Sequence, residues 1–186
     1  MRELRLHQAE TIGAGMKSLP AKLDPSGVVA IVDTREQNPL DLSPIRFERG
    51  TLSTGDYALK SCPDACRIER KSLADLVGCV GSDRERFERE VQRLLSYPVR
   101  VLVVESTWEQ IESHEPNSPQ WRGKVTKEAV IGSLLGWQAM GLSVHMAGDQ
   151  ERAGKHVARL LFTIARRRYA ELRQFSKSMV QETIGR

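Results

Sequence analysis

Apolar positions recur along the chain with two different periods, and the switches between them mark out its elements. Residues 27–33, GVVAIVD, form a continuous β-branched run without alternation, the pattern of a strand covered on both faces within an α/β sheet. A proline-containing loop, Asn38 to Pro44, leads to a second strand near Ile45 to Leu52. Next, residues 55–59 and CRIERKSL (66–73) read as a strand and its return around a turn at Pro63-Asp64. From Ser82 the period lengthens. Phe87, Val91, Leu94 and Leu95 recur at helical spacing, Ser82 and Glu85 have the separation of a capping box, and the helix ends before Tyr97-Pro98. VRVLVVE (99–105) is another buried-type strand, followed by a polar loop over 106–125. Thr126 caps a helix to Met140 with Val130, Leu134, Trp137 and Ile131 on its apolar side, and Gly141 stops it. LSVHMA (142–147) is a strand. Asp149 caps a last helix with Val157, Leu160, Leu161, Ile164 and Tyr169 inward. This order predicts an α/β domain, a central mixed sheet flanked by helices.

The elements occupy 27–175, which is the expected domain. Residues 1–26 are polar, contain Gly13 and Gly15, and end at the turn cluster Asp24-Pro25-Ser26-Gly27, so they read as an N-terminal extension; 176–186 read as a C-terminal tail. A length of 186 residues suits one domain with a real core and leaves two cramped. The longest apolar run, Val28 to Val32, is far below the roughly 20 residues of a membrane span. The first ten residues lack the apolar stretch of a secretory signal. A soluble, cytoplasmic protein is the expectation. Three cysteines, Cys62, Cys66 and Cys79, argue for thiols rather than a disulfide framework, and no second ligand pair follows Cys62 and Cys66 to complete a zinc site. Lys and Arg number 28 against 24 Asp and Glu, a net charge of +4 that admits a polyanionic partner.

The chemistry concentrates between Gly55 and Asp75. Asp56 is followed by twelve residues and then Glu69-Arg70-Lys71, enough chain for a strand, a tight turn and a return. Alternation along the return strand puts Glu69 and Lys71 on one side and Arg70 on the other. Asp33, at the end of the first strand, is a third carboxylate able to converge. Clustered carboxylates raise one another's pKa unless a hard cation sits between them, and Mg²⁺ or Mn²⁺ is the natural occupant. Such an ion activates water and binds a phosphate oxygen. The lysine beside it can orient that water or stabilise developing charge. An ordinary cross-strand pair and a turn aspartate would share these residue types, so the fragment alone does not decide.

The whole pattern does more. Val32-Asp33-Thr34-Arg35-Glu36, Gly55-Asp56, Glu69-Arg70-Lys71 and Asp75 resemble the nuclease domain of the XPF-type structure-specific endonucleases, whose signature is G-D, a variable gap, E-R-K, three residues and D. The resemblance runs more weakly over roughly 27–172. It implies a restriction-endonuclease-like α/β core and metal-dependent cleavage of DNA at branches, flaps or single-strand/duplex junctions, as in repair, recombination or replication. It implies Asp33, Asp56 and Glu69 as catalytic metal ligands, with Lys71 the catalytic lysine. Glu36 would be a further metal-side carboxylate, and the Arg70 carbonyl could complete the shell. Arg35 and Arg70 would contact phosphate or brace the acidic cluster, while Asp75 would cap or position the following segment. Arg86 and Glu90 would lie near the site. A homodimer paired through the nuclease domain is implied as well. The helix-hairpin-helix and helicase modules that accompany many members have no counterpart in these 186 residues.

Trp121-Arg122-Gly123-Lys124 sets an aromatic plane beside two cations, a combination able to stack a base and hold its phosphate, or else to anchor a loop. The alternatives to an active DNA endonuclease are a non-catalytic DNA-binding or scaffold subunit, and a nuclease acting on RNA or plain single strands.

Overall fold

The computed structural model describes residues 19–114, 121 and 124–184. Six strands form one mixed sheet in the order β2-β1-β3-β4-β5-β6. They are β1 (Val29–Asp33), β2 (Arg46–Gly50), β3 (Tyr57–Leu59), β4 (Cys66–Ser72), β5 (Val99–Glu105) and β6 (Ser143–Met146). The helices are α1 (Leu73–Val80), α2 (Arg84–Leu94), α3 (Trp108–Glu112), α4 (Lys127–Ala139) and α5 (Gln150–Ile184). Strand β1 runs parallel to β2 and antiparallel to β3, β3 is antiparallel to β4, and β4, β5 and β6 run parallel. This is the expected α/β architecture, a central mixed sheet flanked by helices.

The period-2 strands divide the core into two layers. On one face Ala30, Val32, Tyr57, Ile68 and Val103 pack against Val157 and Leu161 of α5. On the other, Leu102 and Val104 pack with Leu76 of α1, Phe87 and Val91 of α2, and Leu134 and Trp137 of α4. Each such fully buried aliphatic or Phe side chain contributes roughly 1.5–3 kcal/mol relative to exposure. Phe87 meets Trp137 edge to face, with centroids 4.9 Å apart, which fixes α2 against α4. Strand β2 is an edge strand with Arg46, Phe47, Glu48 and Arg49 exposed. Between it and the core, the Tyr57 hydroxyl accepts the buried Leu40 N–H at 3.0 Å.

Helices α4 and α5 start where the sequence predicts. Thr126 accepts from the Ala129 N–H and Asp149 from the Arg152 N–H. Gly141, at φ +101°, turns the chain out of α4 into β6. Helix α5 is 35 residues long and continuous through Ile184, so it crosses the 175/176 position where the sequence suggests a tail begins. Gly154 lets it approach the loop after β1: a Cβ there would stand 2.5 Å from the Asp41 carbonyl oxygen. Three local features differ from the sequence reading. Ser82 does not cap α2; Asp83 precedes that helix and makes no side-chain cap bond. Helix α1 springs directly from β4. The predicted polar loop contains α3, opened by a capping box of Thr107 and Gln110. Of the predicted N-terminal extension only residues 19–26 are described, and the Tyr169 hydroxyl and Arg173 hold it by the carbonyls of Pro20 and Ala21. No described helix is long and apolar enough to cross a membrane.

Candidate active site

The β3–β4 hairpin brings the two halves of the signature together. Gly55, at φ +71°, makes the turn into β3, and a Cβ on it would meet the Ile68 carbonyl at 3.2 Å. Asp56 is then held from both sides: its N–H donates to Ile68 O at 2.8 Å, and its carbonyl accepts the Asp33 N–H at 2.8 Å. Its Oδ2 accepts the Arg70 N–H at 2.7 Å. Alternation along β4 points Arg67, Glu69 and Lys71 toward α2, and Cys66, Ile68 and Arg70 toward α5. Lys71 Nζ forms an ion pair with Glu69 Oε1, lies 3.4 Å from the Arg70 carbonyl oxygen, and sits 5.2 Å from the centre of the Phe87 ring.

The electrostatics of this cluster are strained. Burial pushes the Asp56 carboxyl up to about 6; the Arg70 amide and Lys71 oppose it, while Glu36 and Glu90 add to it. Burial, then the charge of Asp56, pushes Glu69 up to about 7 against the pull of Lys71. Burial works against the Lys71 charge, but Glu69 and Asp56 outweigh it and keep the ammonium above its ordinary value. Two oxygens, Asp56 Oδ1 and Glu69 Oε2, take no hydrogen bond among the described residues.

Other predicted residues have different surroundings. Asp33, 1% exposed, closes β1, and both its oxygens are taken. Oδ1 accepts the Arg35 N–H at 2.8 Å and Nε at 2.7 Å; Oδ2 accepts Arg35 Nη2 at 3.2 Å and the Leu52 N–H at 2.6 Å. Burial disfavours its charge, yet these bonds hold the carboxyl below its usual range. Asp33 is therefore a brace in this arrangement, and Arg35 is its partner. Arg70 braces from the opposite face of β4, with Nε 2.7 Å from Glu105 and Nη1 3.4 Å from Glu36. Asp75 positions the start of α1, whose cap is Ser72: the Asp75 N–H donates to Ser72 Oγ, and the Asp75 carboxylate accepts the Ser72 hydroxyl at 2.7 Å. Arg86 is exposed and pairs with Asp83 at 3.0 Å, and Arg84 and Arg93 likewise pair with Glu88 and Glu90.

Trp121 takes the second of the two readings of its loop, the anchor. Its ring is 1% exposed, stacks on His114 at 3.8 Å and donates Nε1–H to the Val125 carbonyl, so neither face is open to a base. Lys124 is exposed on the far side of α1, beside Val77 and Gly81, and Arg122 lies outside the described residues.

Three residues at or beside the site escape the sequence reading in whole or in part. Glu90 is a clamp: Oε1 accepts the Thr54 hydroxyl at 2.6 Å and the Gly55 N–H at 3.1 Å, tying α2 to the turn that presents Asp56. Burial raises its carboxyl, but these bonds and Arg93 more than compensate and lower it. Glu105 could have been read from its place at the carboxyl end of a buried strand, the position Asp33 also occupies. Arg67 has no such signal.

Among the described residues, no three His, Cys, Asp or Glu side chains converge as a ready-made metal shell. Asp56 and Glu69 nevertheless fit a hard cation: both are oxygen donors, both are destabilised as bare anions, and each has an open oxygen. Two carboxylates completed by water and substrate phosphate is the usual way a protein holds Mg²⁺.

The family comparison agrees with this geometry. The model of the ERCC4 domain matches residues 32–160, which include Asp33, Asp56, Glu69, Lys71 and Glu90. No curated protein matches the chain. Among solved structures, XPF from Aeropyrum pernix matches with a TM-score of 0.55 and 20% identity, over 83% of this chain and 73% of that one. XPF from Aeropyrum pernix in complex with DNA matches with a TM-score of 0.55 and 20% identity, over 74% of this chain and 64% of that one. With Asp56 and Glu69-Arg70-Lys71 gathered on one hairpin and the match spanning most of the sheet, the chain belongs to the ERCC4-domain family and carries an XPF-type nuclease domain.

Proposed function

We propose that this chain is a divalent-metal-dependent DNA endonuclease that hydrolyses phosphodiester bonds in branched, flapped or junction DNA, acting in repair, recombination or replication. The convergence of Asp56, Glu69 and Lys71 carries the reading, because two carboxylates pushed toward neutrality beside a retained ammonium are costly to a fold and useful to phosphoryl chemistry. Mg²⁺ or Mn²⁺ between Asp56 and Glu69 would supply Lewis-acid activation of water and of the scissile phosphate. The residues themselves do the rest. Asp56, fixed by the Arg70 amide, and Glu69, fixed by β4, present their open oxygens in a constant relation. Lys71 keeps its proton, orients the attacking water and stabilises charge as it grows on the phosphate. Glu90 and Arg70 hold that arrangement from two sides, and Arg35, exposed at the rim, can turn from Asp33 to an incoming phosphate. In that second setting Asp33 keeps the Arg35 and Leu52 amides and regains only the acceptor positions that the guanidinium held.

Partner and setting follow the same reading. DNA is the polyanion, and one structural relative is a DNA complex. A homodimer is supported by Leu172 and Phe175, 59% and 65% exposed on the part of α5 beyond the core. Unpaired Cys62, Cys66 and Cys79 suit the reducing cytoplasm.

The test is cleavage of a labelled panel of duplex, single strand, 5′ and 3′ flaps, fork and four-way junction with Mg²⁺, Mn²⁺ or EDTA. Wild type should cut in metal and not in EDTA, and Asp56→Asn and Lys71→Ala should each lose cutting while staying folded. Wild type that binds branched forms and cuts nothing in either metal refutes catalysis and leaves a scaffold subunit.

A further inference from the structure

Arg67 is a buried cation without a counterion. It is 5% exposed on the α2 side of β4, the face that carries Glu69 and Lys71, and no carboxylate among the described residues pairs with it. Its guanidinium spends two N–H groups of Nη1 on the carbonyls of Pro63 and Cys66, the latter at 2.9 Å. Nε is buried with no hydrogen-bond partner, and Nη2 takes none from the described residues. Three of its five donors are thus unused. The guanidinium lies over the Tyr97 ring, with Cζ 4.2 Å from the centroid, an arrangement that offsets only part of the cost of a buried, unpaired charge.

The surroundings are built for an anion rather than for packing alone. The Tyr97 hydroxyl is 3.2 Å from that of Ser53, and Ser53 is exposed, so two hydroxyls stand at the rim of the buried guanidinium. The Arg67 stem passes beneath Gly55, its Cβ and Cδ 3.5 Å from where a glycine Cβ would be, and the next residue along that turn is Asp56. Two residues of strand separate Arg67 from Glu69, about 6.6 Å at the usual rise. Nε is closed off from solvent, so the fork held over Tyr97 and by two carbonyls leaves the N–H groups of Nη2 to meet an anion, and a phosphate oxygen is the acceptor they fit.

We propose that Arg67, with the Ser53 and Tyr97 hydroxyls, forms a phosphodiester-binding subsite beside the Asp56, Glu69 and Lys71 cluster, gripping the DNA strand next to the position of cleavage. The proposal rests on the reading of the site as DNA-processing, and it makes Arg67 a positioning residue. The subsite sets how the strand lies across β4 before any bond is broken.

The test is anisotropy of a labelled flapped duplex in EDTA across a salt series, for wild type, Arg67→Met and Ser53→Asp. The second variant keeps Arg67 in place and offers it a carboxylate, so it competes with phosphate without disturbing the fold beneath. Each variant should bind more weakly, and the slope of log K against log salt should fall by about 0.7–0.9, the value of one phosphate contact. Cuts in a metal-containing arm should spread over neighbouring positions. Wild type and Ser53→Asp binding with equal slopes overturns the subsite and leaves the nuclease reading intact, whatever Arg67→Met does to folding. Wild type that shows no salt-dependent DNA binding overturns both.

Discussion

Glu69→Gln isolates the electrostatic strain of the site, since it keeps the side chain's shape and removes its charge. In the metal-free protein, burial and Asp56 lift the Glu69 carboxyl from its usual 4.5 to about 7. Between those values the folded state keeps a proton that the unfolded chain has released. Stability is therefore fullest below pH 4.5 and is lost as pH rises through about 7. At about 1.4 kcal/mol per tenfold, the loss is on the order of 3 kcal/mol. Asp56, lifted from 3.8 to about 6, titrates in the same sense as part of the pair. Asp33 and Glu90 are lowered, so their contribution is lost only as pH falls below about 4.5. His145, lowered by burial and by His156, opposes the trend below its usual 6.5, equally in both proteins. Urea unfolding in EDTA from about pH 5 to about pH 8, followed by fluorescence of buried Trp137, measures the difference. The variant should gain on wild type steadily as pH rises. Mg²⁺ at a hundredfold its Kd should restore about 2.7 kcal/mol to wild type at the upper pH and far less to the variant. Parallel stability curves for the two proteins would refute the argument that Glu69 is held under strain.

Further predictions concern the frame. Trp121→Ala should cost about 3–5 kcal/mol in urea unfolding, as the loss of a buried aromatic does, with no change in the salt slope of DNA binding. Tyr57→Phe leaves the buried Leu40 N–H without an acceptor and should cost about 1–3 kcal/mol by the same measurement. Gly154→Ala drives a methyl into the Asp41 carbonyl and should lower the melting temperature, an effect absent at Gly132, where a Cβ meets nothing within 4 Å. Phe175→Glu should convert a dimer to a monomer in sedimentation velocity; a monomeric wild type at micromolar concentration overturns the dimer.

What could be read from the sequence divides along physical lines. Strands β1 and β5 announce themselves because burial on both faces demands continuous β-branched runs, and Asp56 and Glu69 meet because alternation and a short turn leave them little choice. Helices α4 and α5 are legible from period and cap together. Helix α1 is hidden because it follows β4 with no loop between them, although Ser72 and Asp75 at capping distance were its signal. Helix α3 was equally marked by Thr107 and Gln110 inside a stretch whose polarity suggests a loop. Asp33 shows the limit of spacing arguments. The amide that occupies it belongs to Leu52, 19 residues away, and only the folded loop decides that its carboxylate faces Arg35. Trp121 shows the same limit for composition, since an aromatic beside cations reads alike in a groove and in a core.

Strand β4 carries two separate charge systems, the Glu69 and Lys71 chemistry on one face and the Arg70 to Glu105 brace on the other, and this makes it a reading frame in its own right. One residue inserted between Ile68 and Glu69 would exchange the faces, turning the brace toward Phe87 of α2 and delivering Glu69 and Lys71 to α5. Lengthening the chain at Ser61, an exposed residue ahead of the turn at Pro63–Ala65, leaves that parity untouched. The hairpin tip is thus the natural point of entry for a grafted loop, reporter or affinity tag, and the strand it serves is a segment whose length sets which side chains face which helix.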